Sequence, residues 1–381
     1  MSRTLPLVAL ATLGCGAAPS SAREIELATG RTAIPGGLTL THVETGDPAG
    51  EPVLFLHGYT DTGRSFHATM RALSPLRPDL RLIALDQRGH GASSMPDSAT
   101  CAPAPERCFH PANFADDVLA FMDRRGIRRA HLVGASMGSL VAQEVALSHP
   151  ERVRRLVLIG SAAGTAGHPV ITDFLLTGLV EGPWRAELLR SGVEFPAGSY
   201  HRVPTDADPE AVRWMLDNFV VEPLADPALL AAIVQETVRI PIGTWLGVPR
   251  ALAGYDNAKR LASLSAPTLV IWGSQDNLFS AEDQERLRVA LDGAVARCGA
   301  GYVWKQYGRR PLDPSGEPTD DLAHNPEWAA PDMVAADLAG FLKEDGMPTR
   351  DAPYGDRGVL RTAPGEAQLV VRGLPDSCRA P

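Results

Sequence analysis

Short apolar runs, each stopped by a glycine or a polar residue, recur along this chain. Val53–Leu56 precedes His57-Gly58, and Leu82–Leu85 precedes Asp86. His131–Val133 precedes Gly134, Leu156–Ile159 precedes Gly160, and Thr268–Trp272 precedes Gly273. Runs this short, and apolar at nearly every position, read as strands buried on both faces of a parallel sheet. Tyr302–Trp304 is a candidate last strand, and Thr39–Thr45 alternates enough to suggest an antiparallel edge strand. Between the runs, Phe114–Arg125, Leu140–Leu147 and Met333–Leu342 carry apolar residues at helical spacing. Alternating strands and helices imply an α/β architecture with helices on both sheet faces.

The rhythm breaks between about Thr165 and Leu261. That stretch holds helix-like pieces at Asp173–Val180, Pro209–Phe219 and Pro227–Val238, and no clear buried strand. It reads as a helical cap inserted after the sixth strand. The expected organisation is a leader over 1–22, core over 23–164, cap over 165–262, core again over 263–343, and a polar tail over 344–381. A length of 381 residues suits one large α/β domain with an insertion. The net charge of -9 disfavours nucleic acid, whose phosphates call for Lys and Arg. No apolar run approaches the roughly 20 residues that span a bilayer.

The chemistry concentrates in a few motifs. Gly134-Ala135-Ser136-Met137-Gly138 fits Gly-x-Ser-x-Gly between a predicted strand and a predicted helix. A serine on so sharp a turn needs a strained backbone and small flanking residues. The following helix N-terminus then offers free N–H groups, Met137 among them, to a developing oxyanion. The loop after the third strand supplies the other N–H in hydrolases of this design, which by position is that of Tyr59. A serine hydroxyl needs a base. Of the ten histidines, His324 lies after the last candidate strand and just before the closing helix. His67, His149, His168 and His201 lack such placement; His57 and His90 read as braces of their Gly-rich turns. The acid that orients the base is expected after a strand between serine and histidine, and Asp276 in Gly273-Ser274-Gln275-Asp276 fits. Glu282 and Asp283 are nearby but read as part of the next helix.

Together, His57-Gly58-Tyr59, Asp86-Gln87-Arg88-Gly89-His90-Gly91, Gly134–Gly138, Gly273–Asp276 and His324 resemble the α/β-hydrolases with a helical cap, over roughly Leu38 to Leu342. That resemblance implies a serine esterase, lactonase, haloperoxidase-like enzyme or C–C bond hydrolase. It also implies a Ser136–His324–Asp276 triad; no phosphate loop, dinucleotide fingerprint or metal-ligand spacing is present in the sequence, so no cofactor is expected. Peptidase activity of the proline-iminopeptidase type is the alternative, with Glu181, Glu194 or Glu222 as an anchor for a free amine. A non-catalytic binding protein is the reading from a different class. The expected partner is a small ester-like molecule with an apolar part, lined in the cap by Phe174, Leu175, Leu176, Trp184, Trp214, Met215 and Phe219. The Cys101 to Cys108 insertion and the long stretch from Asp276 to His324, with extra residues around Arg309 to Asp321, depart from the family pattern.

Arg3, the apolar Leu5–Leu13 run and the small residues after it have the layout of a secretory signal. Ala11-Thr12-Leu13-Gly14-Cys15 resembles a lipobox with Cys15 as the lipid acceptor; cleavage after Ala18 or Ala22 is the competing reading. The other four cysteines suit two disulfides of an exported protein. Cys101 and Cys108 share one Pro-rich loop, so closing it costs little chain entropy. That leaves Cys298 for Cys378. Metabolic labelling with a fatty acid is expected to mark the protein only if Cys15 is the lipid acceptor, in which case Cys15→Ser abolishes the label. Full-length cytoplasmic protein retaining Met1 would contradict export.

Overall fold

The structure is a computed structural model that describes residues 25–218, 222, 224–308, 322–343 and 369–378. The leader with Cys15, the cap residue Phe219, the Arg309 to Asp321 insertion and most of the tail lie outside the described residues. Among the described residues, no helix is long and apolar enough to cross a membrane.

Among the described residues, nine strands form one sheet: β1 Ala28–Ala33, β2 Thr39–Gly46, β3 Glu51–Leu56, β4 Leu80–Leu85, β5 Ala130–Ala135, β6 Val153–Ile159, β7 Thr268–Gly273, β8 Tyr302–Tyr307 and β9 Leu369–Arg372. Their order is β1-β2-β4-β3-β5-β6-β7-β8-β9. The strands from β4 through β8 pair in parallel, while β1, β2 and β9 run antiparallel to their neighbours.

The all-apolar strand runs have a direct physical use. Successive side chains of a strand point to opposite faces. Leu54 and Leu56 of β3 accordingly join a core with Phe114, Val118, Leu140 and Leu287 on one side of the sheet. Val53 and Phe55 join a second core with Met70, Leu73, Val334 and Leu338 on the other. The helices His67–Leu76 and Pro331–Phe341 cover this second face; Pro111–Arg124, Met137–Ser148 and Ala281–Ala296 cover the first.

Two readings of the edges need correction. Thr39–Thr45 lies in antiparallel β2 but not at the edge, because β1 pairs outside it. Tyr302–Trp304 lies in β8 but is not the last strand, because Leu369–Arg372 from the tail pairs beyond it. Between β6 and β7 the described chain is helical, including Val170–Trp184, which is wound as a π-helix, Ala211–Asn218, Pro227–Thr237 and Ile242–Leu252. Leu179, Val180, Trp184, Met215, Val234 and Trp245 give this insertion an apolar core of its own.

Both disulfides are present: Cys101 to Cys108, the pair that spacing suggested, and Cys298 to Cys378, the pair left over. The second holds the segment carrying β9 to the end of the Ala281–Ala296 helix, across a sequence separation of 80. By the chain-entropy model such a closure stabilises by roughly 4.5 kcal/mol at most. Neither bridge touches the candidate site. Cys378→Ser is therefore expected to lower the melting temperature while the initial rate at 25 °C stays close to that of the parent. A matching loss of rate without thermal destabilisation would contradict this separation.

Candidate active site

β5 is buried along its whole length and ends on Ala135. The backbone then turns through Ser136, at φ 49° and ψ -121°, directly into the Met137–Ser148 helix. Positive φ at a non-glycine residue costs on the order of 1–3 kcal/mol and persists only where the surroundings over-determine it. Here the Ser136 N–H donates to the Ile159 carbonyl at 2.9 Å, and the Ser136 carbonyl accepts from Ser139 N–H at 2.9 Å. Gly138 explains the motif's last position: a Cβ there would strike the backbone carbonyls of Leu56 and His57, at the end of β3. Met137 is the first helical residue, where N–H groups have no intrahelical acceptor.

The loop after β3 lies against this turn. His57 is fully buried; its Nδ1 donates to the Gly58 carbonyl at 2.8 Å and its Nε2 accepts from Gln87 N–H at 3.0 Å. Burial pushes its pKa down to about 4, so the ring stays neutral and braces the loop. His90 is similar, with Nδ1 on the Arg88 carbonyl at 2.8 Å and burial pushing its pKa down to about 3. Tyr59 and Thr60 are tied to the cap. The Tyr59 hydroxyl donates to the Trp245 carbonyl at 2.7 Å, and Thr237 Oγ1 donates to the Thr60 carbonyl at 2.9 Å.

Asp276 sits in the turn after β7. Its Oδ1 accepts N–H bonds from Leu278 and Phe279, both at 2.9 Å. His324 Nδ1 lies 2.9 Å from Asp276 Oδ2 and 3.0 Å from Oδ1. The histidine loop passes close over β6 because Gly160, at φ 49°, has no side chain: a Cβ there would lie 2.5 Å from the His324 carbonyl oxygen and 3.2 Å from its ring. His324 Nε2 is buried without a hydrogen-bond partner. Among the described residues no hydrogen bond joins it to Ser136, although both line one pocket; such contacts often tighten only when substrate is bound.

Sequence reading missed the acidic setting of this histidine. Glu222, from the cap, is fully buried and clasps the histidine loop: Oε2 accepts from Ala323 N–H at 3.2 Å and Oε1 from Asn325 N–H at 2.5 Å. Glu327 is fully buried beside it, with Oε1 accepting from Asn325 Nδ2 at 3.2 Å. Asp61 lines the pocket near Ser136. Burial pushes the carboxyl pKa of Asp61 and of Glu222 up to about 7 and that of Glu327 up to about 8. Burial works to lower the His324 pKa, but the charge and hydrogen bond of Asp276, with Glu327 and Glu222 nearby, carry it above the ordinary histidine value. Of the cap residues expected to line the pocket, Phe174 and Leu175 do. Leu176, Trp184 and Met215 pack inside the cap, and Trp214 stacks on Phe174 with ring centroids 5.7 Å apart.

Comparison with known proteins follows the same lines. The sequence model of the family described as alpha/beta hydrolase fold matches residues 51–295. The 3-oxoadipate enol-lactonase 1 of Acinetobacter baylyi is 28% identical over 216 residues, 56% of this chain and 68% of the relative. The 2-hydroxymuconate semialdehyde hydrolase of Pseudomonas sp. strain CF600 is 36% identical over 146 residues, 38% of this chain and 46% of the relative. In solved structures, the enol-lactonase from Burkholderia xenovorans LB400 superposes with a TM-score of 0.56 at 22% identity, covering 83% of this chain and 100% of that one.

His324 is expected to titrate above the ordinary histidine value when followed by NMR of labelled imidazole. Asp276→Asn should lower that value, and Glu222→Gln should lower it by less. A His324 pKa below the ordinary value, or one indifferent to both substitutions, would contradict the electrostatic picture.

Proposed function

The chain belongs to the alpha/beta hydrolase fold family and is an enzyme, and we propose that it is a serine hydrolase of carboxylic esters or lactones working through an acyl-enzyme. One observation carries the proposal: Ser136, on a strained strand-to-helix turn, lines the same pocket as His324, whose Nδ1 is held by Asp276 while Nε2 is left without a partner. In this reading Ser136 Oγ attacks the substrate carbonyl as His324 Nε2 takes its proton. The Met137 and Tyr59 N–H groups stabilise the oxyanion. His324 returns the proton to the departing alkoxide, leaving an acyl-Ser136. Water, deprotonated by His324, then releases the acid and restores the serine. Asp276 fixes the tautomer and stabilises the imidazolium.

The relatives' names include a lactonase and a semialdehyde hydrolase, so C–C bond hydrolysis at the same serine is the second reading. The aminopeptidase reading draws little support from the three glutamates. Glu181 pairs with Arg250 at 2.5 Å, Glu194 is exposed, and both Glu222 oxygens accept backbone N–H groups. None of the three lines the pocket.

Ser136→Ala is expected to lower ester turnover by several orders of magnitude, His324→Ala by nearly as much, and Asp276→Asn by somewhat less. Steady-state rates on 4-nitrophenyl esters, beside a 4-nitroanilide of an amino acid, check this. The parent activity should fall as pH drops through the His324 pKa, because only the neutral ring accepts the serine proton. Near-parental rates from folded Ser136→Ala protein would overturn the proposal.

A further inference from the structure

The pocket beside Ser136 has an uneven lining. Leu140, Ile171, Phe174, Val248, Leu252 and Leu278 are among the residues that make most of its wall apolar. The polar side chains are few, and among the described lining residues none is Lys or Arg. One is acidic. Asp61 is only 4% exposed, yet it borders the cavity. It stands next to the nucleophile: a Cβ built on Gly58 would lie 3.0 Å from Asp61 Oδ2 and 3.2 Å from Ser136 Cβ. Behind His324 stand three further buried carboxyls, those of Glu222, Asp276 and Glu327. Arg64 and Glu236 pair with each other at 2.6 Å and do not line this pocket.

From this arrangement we infer that the site selects against anionic substrates and takes an acyl group that is apolar and carries no carboxylate, with Asp61 as the residue that sets the discrimination. The inference rests on the serine-hydrolase reading of the same site. Its physical basis is simple. Charges in a poorly solvated pocket interact far more strongly than in water. A substrate carboxylate entering here loses its hydration and meets acidic neighbours, with no described Lys or Arg in the wall to replace the lost water. A neutral alkyl chain of the same length loses nothing comparable and gains contact with the apolar wall. A trimethylammonium-ended chain meets a favourable field instead.

Three esters of one chain length test the inference: 4-nitrophenyl hexanoate, the mono-4-nitrophenyl ester of adipic acid, and 4-nitrophenyl 6-(trimethylammonio)hexanoate. Assays at pH 8, above the raised value of Asp61, keep its carboxylate charged. The parent enzyme is expected to favour hexanoate over the adipate ester by at least about tenfold in kcat/KM, with the cationic ester losing less than the anionic one. In Asp61→Asn the neutral-to-anionic ratio should contract severalfold whatever happens to the absolute rate. The ratio in the parent enzyme stands by itself should the variant fold poorly. Equal use of the adipate and hexanoate esters by the parent, or an unchanged ratio in folded Asp61→Asn protein, would overturn the inference. Ser136→Ala separates the two levels: if it hydrolyses all three esters at parental rates, the serine-hydrolase reading fails; if it hydrolyses none, only the charge selection is at stake.

Discussion

The turn at Ser136 is the constraint around which the rest of the site is arranged. A positive φ at a serine is tolerated because β5 below it and the Met137–Ser148 helix above it are both buried and fix its two ends. The turn in turn dictates its neighbours. Gly138 must lack a side chain so that the end of β3, with its His57-Gly58-Tyr59 loop, can pack against the start of the helix. The same packing sets Gly58 beside Ser136, where a Cβ would lie 3.2 Å from the serine Cβ. Gly160 does the corresponding job at the end of β6, where the histidine loop crosses. The site thus depends on backbones approaching more closely than any Cβ allows.

A second consequence concerns charge. The cap does more than cover the pocket, since Glu222 reaches the backbone on both sides of His324. A carboxylate accepting two N–H groups orients the loop, and its charge also favours the protonated imidazole. Glu327 and Asp61 add to an acidic shell that burial keeps partly neutral near pH 7. The same shell that supports an imidazolium beside Asp276 opposes a second anion in the pocket. On the proposed mechanism, support of the base and choice of substrate are therefore two effects of one field.

Much of this was legible in the sequence, for physical reasons. Strands buried on both faces must be apolar at nearly every position, so β3 to β7 announced themselves. The strand-turn-helix context made Ser136 readable, and the segments after β7 and β8 placed Asp276 and His324. Cys101 and Cys108 were readable from their closeness in one loop. The edge strands were not: β1 is mostly exposed and carries no continuous apolar run, and β9 offers only the half-buried Leu369–Val371 within a polar tail. The Ile242–Leu252 helix hid behind Gly243, Gly247 and Pro249, residues that ordinarily argue against a helix. Glu222 was a candidate for another role, an amine anchor, but its clasp on the histidine loop could not have been found by pattern: its partners are backbone groups about a hundred residues away, and a backbone N–H leaves no mark on residue type. Asp61 was overlooked because an acidic residue in a polar turn looks solvated until the cap is laid over it.

The central claim is that Ser136 is a nucleophile activated by His324. The most direct measurement is a brief reaction of the purified protein with a fluorophosphonate, followed by peptide mass mapping. The account predicts one phosphonyl adduct, on the peptide that carries Ser136, forming far more slowly in His324→Ala protein. An adduct on a different serine, or no adduct on folded protein, would contradict it.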